Sequence, residues 1–144
     1  MSESSRYIFL AGGLPFILLG LLHALYTPLR PDQQKGLSPR DAALREAMAR
    51  ETLFLTRRTT VWLAWVGFNF SHSLGAVVFG SMVVLIGGNE NMFHAQAAKF
   101  LPFAVLVGGI YLLLAFKYWF RTPMIGIALG EACFVASCVL FVAA

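Results

Sequence analysis

The chain has little charge. Of its 144 residues only 12% are charged, and just seven are acidic. A soluble domain of this length needs more charge to cover its surface, so a soluble globular class is disfavoured from the start. Cysteine is nearly absent, and Cys133 and Cys138 are the only two. Five residues apart on a helix, they point some 140° away from each other at about 100° per residue, which excludes a local disulfide. They lack CxxC spacing and read as small buried hydrophobes. Histidine is equally sparse: His23, His72 and His94 are scattered along the chain with no His/Cys/acid ligand spacing, so no metal site and no cofactor is expected. There is no Gly-rich phosphate loop, no GxSxG elbow and no Walker motif. The asparagine at Asn91 is followed by Met92-Phe93 and is no glycosylation sequon.

What the chain has in abundance is apolar sequence, 58% of all residues. It falls into four runs: about 7–26, 60–87, 100–120 and 123–143. Each meets the roughly 20 residues needed to cross a ~30 Å hydrocarbon layer as a helix. A backbone in that layer must satisfy its own hydrogen bonds, so helices rather than strands are expected. The predicted fold class is all-α: an antiparallel four-helix transmembrane bundle, one domain over residues 1–144. Pro15 and Pro102 are expected near the starts of their helices. The segment before the first run has one basic residue, Arg6, offset by one acidic residue, Glu3, and no small-x-small site follows the run, so it reads as a retained span rather than a cleaved signal.

Charge placement orients the bundle. Seven of the eleven Lys/Arg lie between Arg30 and Arg58, and Lys117 and Arg121 fall on the same side. Only Arg6 and Lys99 lie on the other. The positive-inside rule therefore places the long loop in the cytoplasm and both termini outside, in a cell membrane (the inner one in a Gram-negative cell). The basic excess belongs to that loop and is interleaved with Asp32, Asp41, Glu46 and Glu51, so no nucleic-acid partner is implied. Within the loop, Ser38-Pro39-Arg40-Asp41 predicts the start of a short amphipathic helix, with Ser38 as cap, Pro39 at the first position and Asp41 facing the dipole. Asp41/Arg45 and Glu46/Arg50 are spaced to pair along it. That helix is expected to run toward the second span, and Asn89-Glu90-Asn91 is expected to form a turn.

Chemistry is concentrated in a few intramembrane residues. Glu131 is the only acid within a span. Counted from the helix ends at ~1.5 Å per residue, it lies ~12 Å deep, Asn69 and Tyr111 ~14 Å, and His72 ~18 Å. A carboxyl group at that depth is costly unless it faces the interior and finds partners. Glu131 and His72 are therefore candidate catalytic groups, an acid/base pair in a lipophilic pocket. Asn69, Tyr111, Trp65, Ser73 and His23 are candidate ligand-binding residues. Interhelical polar glue is the competing reading. His23, ~6 Å deep by the same count, is expected some 12 Å from the level of His72, which argues against a shared haem. Two small-residue series, Gly67/Ser71/Gly75 and Gly126/Gly130, predict close packing of the second span against the fourth.

The stretches GLLHALYTP, Asp41 to Met48 and WVGFNFSHSLG together resemble a family of small uncharacterised four-helix bacterial membrane proteins. The resemblance covers most of the chain and implies four spans without supplying an activity. Two other groups are similar in size or span count. The membrane-associated eicosanoid and glutathione metabolism proteins carry Asn-x-x-Glu on their second helix, where this chain has Asn69-Phe70-Ser71-His72. The sterol-isomerase-like four-helix proteins line a lipophilic cavity with acids, a His and a Trp, parts that Glu131, His72 and Trp65 would play here. Two functions stand open. One is a binding or accessory protein that holds a lipophilic small molecule or joins a homo-oligomer or larger membrane complex. The other is a small enzyme moving a proton within an apolar substrate.

Overall fold

The computed structural model describes residues 3–143. It is mostly helical, with five helices and one small hairpin: α1 (Glu3–Tyr26), α2 (Ala42–Arg50), β1 (Thr52–Leu53), β2 (Thr56–Thr60), α3 (Val61–Gly88), α4 (Glu90–Tyr118) and α5 (Arg121–Val142). α1, α3, α4 and α5 are each long and apolar enough to cross a membrane. The all-α class fits, and the four expected apolar segments are four helices of spanning length.

Several boundaries differ from the expectations, for local reasons. α4 begins ten residues before the apolar run does, because Asn89 caps it: its Oδ1 accepts from the N–H of Met92 at 3.0 Å. The expected Asn89-Glu90-Asn91 turn is thus a helix start, and one residue separates α3 from α4. The early starts of α1 and α4 also place Pro15 and Pro102 well inside their helices, not at the beginning. Each removes one backbone donor there, from the carbonyls of Ala11 and Ala98 respectively.

The chain divides into two compact units. The first comprises residues 3–19 and 76–143. Its core is a set of buried rings, Phe9, Phe16, Phe79, Phe93 and Phe134. Phe16 meets Phe79 edge-on at 4.9 Å between centroids and stacks with Phe134 at 5.8 Å. Glycines set the helix spacing around it. A Cβ on Gly13 would lie 2.7 Å from the carbonyl oxygen of Gly80, and one on Gly80 would lie 2.6 Å from that of Gly13. On the other flank, a Cβ on Gly130 would lie 2.9 Å from the Gly12 carbonyl oxygen. Two adjacent glycines of α1 thus seat α3 and α5. Gly126 likewise faces Leu19 of α1. This corrects the expected seam: Gly126 and Gly130 pack on the first span, and nothing lies within 4 Å of a Cβ placed on Gly67. Polar groups reinforce the same pairs. Ser5 Oγ donates to the Ser137 carbonyl at 2.9 Å, Ser137 Oγ donates to the Ser5 carbonyl at 2.7 Å, and Arg6 Nη1 donates to the Gly87 carbonyl at 3.0 Å.

The second unit spans Gly20–Gly75. Here α1 ends by closing its own carbonyls: Thr27 Oγ1 donates to the His23 carbonyl, Lys35 Nζ to that of Leu25, and the Leu37 N–H to that of Tyr26. Gly36, at φ +43°, makes the tight return, since a Cβ would meet Tyr26 at 2.5 Å. The cap of α2 is Asp41, which accepts from the Ala43 N–H at 2.9 Å, not Ser38. Ser38 is held one turn earlier, donating to the Gln33 carbonyl at 2.6 Å. Arg45 does not pair with Asp41 either. Its buried guanidinium donates to the carbonyls of Pro31, Pro39 and Arg40 at 2.7–2.9 Å. A fork of five N–H donors satisfies three loop carbonyls at once, which a single carboxylate partner would not. After α2 the chain does not run on into the span. It forms the antiparallel hairpin β1–β2, unforeseen from sequence, pairing Thr52 with Thr60 and Leu53 with Thr56.

Replacing Gly13 or Gly80 by leucine is expected to destabilise the protein by about 1–3 kcal/mol, the usual cost of overpacking. Gly67→Leu should change little. Thermal unfolding in detergent tests this, and equal losses at all three positions would contradict the α1–α3 seam.

Candidate functional site

Within the second unit, α1 and α3 bring together His23, Asn69 and His72. Asn69 is buried. Its Nδ2 donates to the Trp65 carbonyl of its own helix at 2.7 Å, which turns Oδ1 toward α1. His23 Nε2 lies 2.8 Å from that Oδ1. With the amide oxygen as acceptor, His23 Nε2–H is the donor of this pair. The His72 ring lies 5.1 Å from the His23 ring, tilted by 59°. Ser73, one residue on, is buried and donates back to the Asn69 carbonyl at 2.9 Å.

The depth estimate for His23 and His72 is therefore overturned. Equal counts from the two helix ends assumed that those ends are level. Instead Trp62, in the first turn of α3, is buried with its Nε1 donating to the Leu29 carbonyl at 3.3 Å, beyond the end of α1. α3 thus overshoots α1 by about two turns, and His72 comes down to the level of His23. Trp65 stands beside Trp62, ring to ring at 5.2 Å.

Tyr111 and Glu131 belong to the first unit. The Tyr111 ring meets Phe16 edge-on at 5.6 Å and stacks with Phe79 at 6.4 Å. Glu131 lies against Gly108 of α4, where a side chain would displace its carboxyl group, and beside Gly109. Its Oε2 is buried and has no hydrogen-bond partner among the described residues. Of the seven candidate residues, the structure thus groups His23, Asn69, His72, Ser73 and Trp65 in one unit. It sets Tyr111 and Glu131 in the other. In that unit, a small apolar hollow lined by Phe9, Phe79, Val83, Ile86 and Phe103, among others, has a volume of about 10 Å³, room for one water and no more.

A third group escaped the sequence reading. At the start of α1 and α4, Glu3, Glu90 and His94 each offer one potential ligand atom, and all three atoms lie within 4.8 Å of one another. The signal was present, because Glu90 and His94 are four residues apart. It was obscured by assigning Glu90 to a turn, which gives the pair no common helix face.

The chain matches no protein-family model, no curated protein and no solved structure.

The His23–Asn69 bond makes a measurable forecast. A double-mutant cycle of His23→Ala and Asn69→Ala should give a coupling of about 0.6 kcal/mol and at most about 1.7 kcal/mol, as for other hydrogen bonds between membrane helices. Unfolding measured in mild detergent supplies the four stabilities. Strict additivity would mean that the contact contributes nothing to the fold.

Proposed function

We propose that this protein is an accessory subunit of a larger membrane assembly, built as an antiparallel four-helix transmembrane bundle with both termini on the non-cytoplasmic side. The supporting observation is the tip of the β1–β2 hairpin. Phe54 and Leu55 are fully exposed there, at 111% and 92% of their free areas. They lie outside all four apolar helices, so the lipid contact that explains exposed Leu and Phe on a span does not account for them. Paired bulky apolar residues held in the open by a hydrogen-bonded turn are characteristic of a contact surface. Arg57 and Arg58 follow after Thr56 and are exposed. The fitting partner is therefore a protein with an apolar recess rimmed by acidic residues. On this reading the intramembrane polar groups clamp helices together.

A second reading draws its support from Glu131. A buried carboxyl oxygen without a donor is expensive in lipid. A lipophilic molecule bearing a hydroxyl or amide N–H would supply that donor. If it reacts, Glu131 is the group to exchange a proton with it; His72 and Asn69 belong to the other unit and take no part in this reading.

A photocrosslinking amino acid at position 54, activated in native membranes, tests the first reading. The expected product is one discrete protein adduct, lost on Leu55→Asp while the melting temperature is kept. Adducts with lipid alone would overturn the docking role. Mass spectrometry of the gently extracted protein tests the second. A single retained lipophilic species, lost in Glu131→Leu, is expected, and recovery of none would discard it.

A further inference from the structure

We propose that Glu3, Glu90 and His94 form a binding site for a divalent transition-metal ion, of the zinc class, that ties the first turn of α1 to the first turn of α4. The argument stands apart from the functional readings above.

The donors come from two helices and converge. His94 Nε2 lies 3.7 Å from Glu90 Oε1 and 3.8 Å from Glu3 Oε1. Bonds of about 2.0–2.2 Å to one tetrahedral ion would set such atoms roughly 3.4 Å apart, so small rotations of exposed side chains suffice to close the site. Glu90 and His94 share one face of α4 at i,i+4, the spacing by which two ligands of one helix reach one metal.

The third ligand is positioned by Arg6. Its Nη2 takes the other oxygen of the Glu3 carboxylate, Oε2, at 2.6 Å. Its Nη1 is fixed on the Gly87 carbonyl at the end of α3. The Glu3 carboxylate is therefore divided, with one oxygen held by the guanidinium and the other turned to His94. This is the arrangement by which an outer partner orients a metal ligand. It also settles the charge. Two carboxylates this close repel, and Arg6 neutralises one while leaving a net negative pocket for a cation.

The donor set selects the ion. An imidazole with two carboxylates suits zinc and its neighbours, whereas calcium and magnesium take oxygen ligands alone. Glu3 and Glu90 are exposed and His94 is half-buried, so water completes the coordination and exchange with solvent is open.

The test uses the full-length protein in detergent, with a cleaved C-terminal tag so that no added histidine binds metal and the N-terminus is native. Titration with zinc chloride by calorimetry should give one ion per chain. His94→Ala and Glu90→Gln should each weaken binding by at least about tenfold, given three protein ligands. Both side chains lie toward the surface, and the melting temperature without metal reports whether each variant folds. Zinc should raise that temperature in the wild type and leave it unmoved in His94→Ala. Cobalt(II) substitution should give the intense visible bands of a low-coordinate site. Stoichiometry well below one, or binding indifferent to both substitutions in folded protein, would overturn the proposal.

Discussion

The structure depends on how closely two backbones can approach α1. Lipid offers no hydrophobic force between apolar helices, so they associate through contact area and whatever polar bonds they share. Contact area is a matter of distance. At Gly13–Gly80 and Gly12–Gly130 the helices touch backbone to side-chain-free backbone, and no methyl group could be interposed without moving one of them. The large residues fill the space that remains: Phe16 lies one turn along from Gly12 and Gly13, against Phe79 of α3 and Phe134 of α5. Glycine brings the axes together, and the rings occupy what the closeness leaves over.

The hydrogen bonds have a different role. Each intramembrane polar group must be satisfied somewhere, and here several are satisfied on a neighbouring helix at a point that fixes register. Ser5 and Ser137 exchange two bonds, which only one vertical alignment of α1 and α5 permits. His23 and Asn69 do the same for α1 and α3, with Trp65 setting the orientation of the amide. Glycine seams tolerate sliding, because one small residue resembles the next. Paired polar groups do not. The two devices together give a close contact and a unique one.

Much of this was legible in the chain, and the failures have a common physical cause. Four spans follow from apolar runs because lipid leaves a backbone no alternative to helix. The importance of Asn69 and His72 follows from the cost of burying them. The partner of each was not legible. Depth counts from helix ends assume level ends, and the Trp62–Leu29 bond breaks that assumption by holding the first turns of α3 beside the loop. Small-residue series announce that a helix packs closely without saying on what, so Gly126 and Gly130 were paired with the wrong span. The loop defeated the reading at Arg45, where a backbone of consecutive carbonyls outcompeted a carboxylate four residues away. Hydropathy also ends a helix where the apolar run ends, whereas Asn89 starts α4 three turns earlier through a single side-chain bond.

The distribution of connections bears on where function resides. α3 and α4 are joined by Asn89 alone, and α4 and α5 by Trp119 and Phe120. Connections of one and two residues present almost nothing beyond the helix ends. The link from α1 to α3 is different: it occupies residues 27–60 and contains a helix and a hairpin. It is also expensive to order, since each fixed residue costs about 1–2 kcal/mol of backbone entropy. Arg45, Gly36, Ser38 and Asp41 are all committed to that ordering. A link serving only to return the chain to the membrane would need no such framework, as the two short connections demonstrate. The framework ends in Phe54 and Leu55, the most exposed large hydrophobic side chains among the described residues, on its outermost turn. Order maintained at that cost around an apolar tip is what the proposed docking role would require of this link.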